Sequence, residues 1–463
     1  MVGCAPRRWW PMLLALTCAA LAAGPVETEA REILDQLLRV DASHGNETAA
    51  LRPLLARFQR AGVQAQILES APGRGNLVAR VRGSGARRPL LLLAHVDVVP
   101  VEGQPWSVPP FQPTEKDGYL YARGVSDDKA MASAFAAIAL EAARSQPKLG
   151  RDLIVALTAG EETGGLAGAR WLAQNHRDLI DAELALNEGG ALIVKPDLSR
   201  MESVQIGVAE KIFQSYGLSV KGKGGHSSVP PTDFDPVVTL SRALQRIGEL
   251  RFPAKVLPES REGIALMARR EKPPLSTALE RAAQTGTVSP EDDAVIGKDR
   301  LANAQVRTTC VTTMLKAAPQ DNVLPTTAEA TVNCRILPGE TREQTQARLA
   351  QAIADPSVEV KPLEDIGFAK PSPISGPVNE AVHAAARALW GEVAVSHSMG
   401  TGATDSRHLR EIGIQSYGLG GAPGTQEDQR AGRAAHGADE RRPIRWMGEG
   451  VRFLREVTLQ LAR

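Results

Sequence analysis

The sequence predicts an α/β protein: a mixed sheet covered by helices, with a smaller α+β sandwich inserted into it. Three observations carry that expectation. The apolar runs LLLLAHVD, DLIVALT and AELALNEGG are too uniform for surface strands and end at or just before acids or histidine. Strands buried on both faces read this way. A middle stretch switches to alternating strands and amphipathic helices, in the order strand-helix-strand-strand-helix-strand of a small α+β sandwich. After about residue 366 the first pattern resumes. A chain of 463 residues, 43% hydrophobic, is also too long for one ordinary core. The division expected is a leader over 1–30, a main domain split into 31–206 and 365–463, and an inserted lid or dimerisation domain over 207–364.

Arg7 and Arg8 precede WWPMLLALTCAALAA, and Ala20 and Ala22 suit a signal peptidase. The run is short for a membrane span. The expected location is therefore periplasmic or secreted, with a retained N-terminal anchor as the alternative. Leu16-Thr17 is a poor lipidation box for Cys18. No later segment is long and apolar enough to span a bilayer. Lys+Arg is 54 and Asp+Glu is 53, a formal charge of +1. That balance argues against a nucleic-acid partner.

Residues 31–41 place Ile33, Leu34, Leu37 and Leu38 at helical spacing. Asn46 is expected to cap a second helix ending at Gly62. VQAQILE and NLVARVRG read as strands, and GSGARRP as turn chemistry before the strand in Leu90–Pro100. A Pro-rich loop with Trp106 and Phe111 leads to an Ala-rich helix over about Asp128 to Ser145. DLIVALT then enters AGEETGG, LAGARWLAQNH is helical, and AELALNEGG repeats the strand-acid-glycine form.

In the middle, FQSYGLSVKGKGGHSS alternates like a half-exposed strand and DPVVTLSRALQRIGEL is an amphipathic helix. Residues 251–300 read as polar and irregular. Two strands follow, QVRTTCVTTML and AEATVNCRIL, then a helix (TREQTQARLAQAIA) and SVEVKPL. Cys310 and Cys334 lie symmetrically about Asn322, so a hairpin sets them opposite each other. A disulfide in an oxidising compartment and two unpaired buried thiols are both compatible with that. Beyond 366, VNEAVHAAARALW is a helix, HSMGTGATDSRHL a Gly-rich loop entering a helix, and IQSYGLGG a strand end. The last helix carries Ile444, Met447, Val451, Leu454 and Leu461 at helical spacing.

Five strand or loop ends carry metal-ligating residue types: His95, with Asp97 beside it, Asp127, Glu161-Glu162, Glu188 and His436. Each alone has an ordinary reading. Asp127-Asp128 would cap a helix, Glu161-Glu162 would be a solvated turn, Glu188 a loop acid and His436 a surface histidine. Together they say more. Acids directly after such apolar strands sit at a sheet rim, where open α/β sheets bind ligands. Converging carboxylates raise one another's pKa unless cations neutralise them. Histidine and carboxylate donors suit zinc.

The motifs AHVDVVP, ARGVSDDKA, TAGEETGG, NEGG, GGHSSVPP, NCRILPG and AHGADE occur in this order across nearly the whole chain after the leader. In that order they resemble the co-catalytic zinc peptidases that include glutamate carboxypeptidase, aminoacylase and carboxypeptidase S. The spaced SDDK, the NEGG and the long 251–300 stretch look most like the carboxypeptidase S and N-acyl-amino-acid hydrolase branch. Ala122 and Ala130 stand where that family often has glycine. The resemblance implies a zinc exopeptidase-like main domain holding two zinc ions, with cobalt or manganese as substitutes. His95 and Glu188 would bind one ion, His436 and Glu162 the other, and Asp127 would bridge them. Asp97 would hold the His95 ring, and Glu161 would be the general base.

The resemblance also assigns His226 as an oxyanion donor, from the inserted domain and often from the other subunit of a dimer. By itself His226 reads as a turn residue before Ser227-Ser228. Arg335 would receive a substrate carboxylate through its planar fork. It otherwise reads as a strand-edge surface arginine. Asn322 and the Gly400-Thr401-Gly402 loop are further candidates for that carboxylate. The function implied is hydrolysis of an amide or peptide bond beside a free α-carboxylate, in a small peptide or N-acyl amino acid. The chain would pair as a homodimer through the inserted domain. Two other readings are a catalytically inactive binding relative and a zinc amidase acting on another C–N bond. A full set of ligands argues against the first.

Overall fold

The computed structural model describes residues 24–363 and 370–463. The body of the expected leader, 1–23, and the expected boundary at 364/365 lie outside the described residues.

The central sheet is mixed. Its strands run in the order Gln64–Glu69, Gly75–Val81, Leu153–Thr158, Leu90–His95, Leu184–Asn187, Gln415–Gly418, Met201–Glu210, Ala191–Val194 and Gly424–Thr425, and Ala394–Gly400 also pairs with Met201–Glu210. Leu90–His95 lies parallel to both its neighbours, Leu153–Thr158 and Leu184–Asn187. All six of its residues are buried, because the two sheet faces are both covered. Leu90, Leu92 and Ala94 face a core shared with the helices Pro25–Leu38, Glu47–Arg60, Lys129–Ser145, Pro377–Trp390 and Ile444–Ala462. Leu91 and Leu93 face the opposite layer, with Leu172 and Leu409. Side chains alternate across a strand, so a strand inside such a sandwich must be apolar throughout. Burial of one such leucine contributes about 1.5–3 kcal/mol.

The first helix begins at Pro25, earlier than its spacing suggested, and buries Val26 and Ala30 as well as the leucines. Asn46 does occupy the position before Glu47–Arg60, but its side chain does not cap that helix. Its amide reaches the Asp41 carbonyl at 3.4 Å instead.

The inserted sandwich is a four-stranded antiparallel sheet in the order Thr309–Lys316, Thr327–Ile336, Ile212–Lys221, Val358–Pro362, with helices Pro236–Glu249 and Arg342–Ile353. Its core joins Tyr216, Leu218, Val332, Leu240 and Leu349. Met201–Glu210 belongs to the central sheet and Ile212–Lys221 to the inserted one. Cys310 and Cys334 are directly paired residues on neighbouring strands and form a disulfide.

Residues 251–300 are not irregular. They form Pro258–Ala268, Leu275–Thr285 and Pro290–Ile296, followed by Arg300–Val306, around a core of Ile264, Leu279 and Ile296. This helical unit docks on the edge strand Ala394–Gly400. Glu262 accepts the His397 N–H at 2.8 Å, and Gln305 donates to the Met399 carbonyl at 3.2 Å.

Candidate metal centre and active-site cleft

The ligand candidates come from the carboxyl ends of the buried strands and the loops beside them. His95 closes the strand Leu90–His95 and Glu188 follows Leu184–Asn187. Asp127 precedes the helix Lys129–Ser145, and Glu162 lies in the short 3-10 turn Glu161–Thr163 after Leu153–Thr158. His436 arrives from the loop before Arg441–Pro443.

These five side chains form two groups that share one member. His95, Asp127 and Glu188 are one; Asp127, Glu162 and His436 are the other. In each group the potential ligand atoms lie within 4.8 Å of one another. His95 Nε2 is 2.9 Å from Asp127 Oδ1 and 3.8 Å from Glu188 Oε1. His436 Nε2 is 3.2 Å from Asp127 Oδ2 and 3.0 Å from Glu162 Oε2. The two oxygens of one carboxylate therefore face two different histidines.

Asp97 organises this end of the sheet twice over. Its backbone carbonyl lies 3.0 Å from His95 Nδ1, leaving Nε2 free to face the acids. Its carboxylate accepts the backbone N–H of Glu161 at 3.1 Å and of Glu162 at 3.2 Å. Histidine ring and glutamate turn are thus fixed by one residue, the kind of outer contact that tunes a metal ligand.

The electrostatics describe a site short of positive charge. Burial pushes the Glu188 carboxyl well above the usual range, and Asp127 and Glu161 push it further. Glu161 is likewise held well up by burial, with Asp405, Glu162 and Asp127 adding to it. Burial opposes charge on His95, yet the hydrogen bonds to Asp127 and Asp97 outweigh it and hold the ring well above its ordinary value. Hydrogen bonds to Asp127 and Glu162 raise His436 to about 10. Crowded carboxylates with histidine nitrogens at ligand spacing fit divalent cations bound through nitrogen and oxygen.

A cleft of about 430 Å³ opens on this cluster, lined by Glu161, Glu162, Glu188, His436, Arg335 and Gly402 among others. Arg335 is half-buried and stacks on Phe213, its guanidinium 4.7 Å from the ring centre. Gly400 ends the strand Ala394–Gly400, its carbonyl accepting the Lys211 N–H at 2.9 Å, and Thr401 connects it to Gly402. His226 and Asn322 are brought together elsewhere. Both are exposed, at the ribbon formed by Gly225–His226 and Val323–Leu324. The Asn322 carbonyl accepts the Ser227 N–H at 3.0 Å, and neither residue lines the cleft.

Several residues here had no role in the sequence reading. Arg123 and Glu440 pair at 2.7 Å, both buried. Glu440 also accepts the backbone N–H of Ser126 at 2.6 Å and of Gly124 at 3.1 Å. Gln104 accepts from Arg123 at 2.6 Å and donates to the His436 carbonyl at 3.1 Å. Lys129 is fully buried and donates to the carbonyls of Leu37 and Val40, at 3.0 and 2.8 Å, where the first helix ends. Arg123 and Lys129 stand inside the ARGVSDDKA motif and Glu440 inside AHGADE, so the motifs contained them without revealing their partners. Arg170, Thr404 and Arg407 also line the cleft.

Comparison with known proteins bears on the family and the fold. The model of peptidase family M20/M25/M40 matches residues 91–460. The N-fatty-acyl-amino acid synthase/hydrolase of Mus musculus is 29% identical over 384 residues, 80% of this chain and 73% of that protein. A probable carboxypeptidase S-like protein of Dictyostelium discoideum is 27% identical over 341 residues, 71% of this chain and 64% of that protein. Among solved structures, an M20 family metallo-carboxypeptidase from Sulfolobus solfataricus superposes with a TM-score of 0.67 at 18% identity, covering 93% of this chain and 99% of that one.

Proposed function

The chain belongs to peptidase family M20/M25/M40, and from that membership we propose that it is a two-zinc hydrolase of an amide or peptide bond beside a free α-carboxylate. One observation carries the reading. The two candidate ligand groups share Asp127, and both open, with Glu161, into the cleft that Arg335 lines. A shared carboxylate is what a pair of closely spaced cations requires. His95 and Glu188 would hold one ion, His436 and Glu162 the other. Such a pair supplies Lewis-acid polarisation of the scissile carbonyl and activation of water at neutral pH.

The residues of the chain do the remaining work. Arg335 binds the substrate carboxylate by its fork and so sets which amide reaches the acids. Glu161 takes a proton from the attacking water on its carboxylate and returns it to the leaving nitrogen. Burial, which raises its pKa, suits it to hold that proton between the two steps. Asp97 keeps His95 and the Glu161–Glu162 turn in register.

His226 and Asn322 sit on an exposed ribbon outside the cleft of their own chain. We assign them to the cleft of a second copy, His226 as oxyanion donor and Asn322 as carboxylate partner. The outer strand Thr309–Lys316 exposes Val311, Met314 and Leu315, each more than half accessible, and an exposed edge of that kind invites pairing. This supports a homodimer through the inserted domain. We place a leader ending before Pro25, where the packed helix begins, and an exported protein. Among the described residues no helix is long and apolar enough to cross a membrane.

The test is Glu161→Ala on metal-loaded protein. Turnover of an N-acyl amino acid or dipeptide should vanish while the metal content by elemental analysis stays at wild-type level. Full activity in that variant overturns the assignment of the base.

A further inference from the structure

The cleft holds more positive charge than one substrate carboxylate uses. Three guanidinium groups line it: Arg170, Arg335 and Arg407. Among the described residues none of them is paired with a carboxylate. Arg335 contacts Asn333 Oδ1 at 3.3 Å and the Phe213 ring. Arg407 is held by the Gly164 carbonyl at 2.7 Å and His408 Nε2 at 3.2 Å, which fixes its position; the buried Asp405, which accepts from the Thr158 hydroxyl, feels its charge without an ion-pair contact. The Arg170 side chain has no hydrogen-bond or ion-pair partner among the described residues. Arg335 and Arg407 lie near enough to feel each other's charge, since Arg407, after burial, lowers the Arg335 pKa. Burial, then Arg407 and Arg170, also depress His408 to about 3, which puts both arginines around one buried ring.

The acids in the cleft do not answer this charge. Asp127, Glu161, Glu162 and Glu188 formally match the charge of the two dications of the reading above, on which this inference rests. A substrate with a single carboxylate on Arg335 then leaves Arg170 and Arg407 without a contacting counter-ion in a half-buried space. Guanidinium groups in a recess without a contacting acid are a receptor for an anion, because their planar donors bind carboxylate bidentately and lose less freedom per hydrogen bond than an ammonium.

We propose that Arg170 and Arg407 form a second anion subsite, and that the substrate is a dianionic amide carrying another carboxylate besides the α-carboxylate held by Arg335. The second carboxylate belongs either to an acidic amino-acid side chain or to a dicarboxylic acyl group. Leu166 and Phe213, also in the cleft wall, give the intervening methylenes an apolar surface.

Metal-loaded protein assayed on two matched pairs tests this: N-acetylglutamate against N-acetylglutamine, and N-succinyl-leucine against N-butyryl-leucine. The dianion of one pair should be preferred about tenfold in kcat/KM, through KM. The pair that shows the preference locates the second carboxylate. Arg170→Gln should bring that ratio close to unity, and Arg407→Lys, which keeps the charge, should retain most of it. Equal rates within both pairs, or a preference unchanged in Arg170→Gln, overturns the proposal. Calorimetry with glutarate and butyrate decides the matter independently of turnover. Tighter glutarate binding that Arg170→Gln abolishes sustains the subsite even if no amide is cleaved, in which case the hydrolase reading fails alone. Equal binding of the two acids removes the subsite.

Discussion

Arg123 and Glu440 are paired at 2.7 Å with neither accessible to solvent, and they join the loop that carries Asp127 to the loop that carries His436. Glu440 also accepts the N–H groups of Ser126 and Gly124, and Arg123 donates to Gln104, while Arg123 Nε is buried without a hydrogen-bond partner. Removing one member of such a pair leaves the other buried and unmatched, at a cost of about 3–5 kcal/mol. Arg123→Ala should therefore lower the unfolding free energy of the metal-free protein, read by urea denaturation, by that amount. Because the pair positions both loops, metal affinity should fall about 10–100-fold as well. A variant that loses stability but keeps wild-type metal affinity would separate the pair from the site.

Asp127 faces both histidines, so it differs from ligands that face one. Asp127→Asn should weaken both bound ions, whereas Glu188→Gln should weaken one. Elemental analysis after graded chelation distinguishes these. Loss of a single ion in Asp127→Asn would argue that the two groups are independent sites.

Lys129 closes the end of the first helix by donating to Leu37 and Val40 carbonyls from a fully buried position. A cation at a helix C-terminus is favourable, and its loss strands buried acceptors. Lys129→Met should destabilise the protein by about 2–4 kcal/mol, read by thermal or urea unfolding. A neutral effect would mean water replaces the ammonium in that pocket.

Lys211 gives a pH signature away from the metal ligands. Burial first, then the Arg335 and Arg307 charges, depresses its pKa from 10.5 to about 7. The folded protein thus releases this proton near neutrality while the unfolded chain keeps it to about 10.5. Above pH 7 the unfolded state binds more protons, so this group's contribution to stability rises with pH. The stability difference between wild type and Lys211→Met should climb between pH 7 and 10.5, at most about 1.4 kcal/mol per unit. A difference that is flat or falls over that window would show that the ammonium stays charged, held by the carbonyls of Ala304 and Arg307 and the Thr309 hydroxyl.

What the sequence disclosed depends on the range of the interaction behind it. Leu90–His95 was legible because a strand covered on both faces must be apolar at every position, and the acids after such strands had to gather at one rim. The insert was legible from its order of strands and helices. The helices between 258 and 306 were missed because each is short and partly polar. Their signal was proline in the first turn, at Pro258 and Pro290, and beside it at Pro274. The Arg123–Glu440 pair could not be seen at all. An ion pair between residues so far apart in the chain leaves no periodicity in either segment. Arg170 and Arg407 were invisible for a related reason. A surface helix normally carries arginines, and only the fold shows that these two line the cleft without a carboxylate paired to them.

His436 and Glu440 also determine when the centre comes into being. His95, Asp127, Glu162 and Glu188 all precede the inserted sandwich, yet the second histidine and the glutamate that anchors its loop follow it. A nascent polypeptide of this protein can assemble most of the donors long before it can close the pair of ion sites. On the proposed two-ion reading, full affinity for both ions would report that the segment carrying His436 and Glu440 has returned to the sheet, so metal uptake would double as a check on folding.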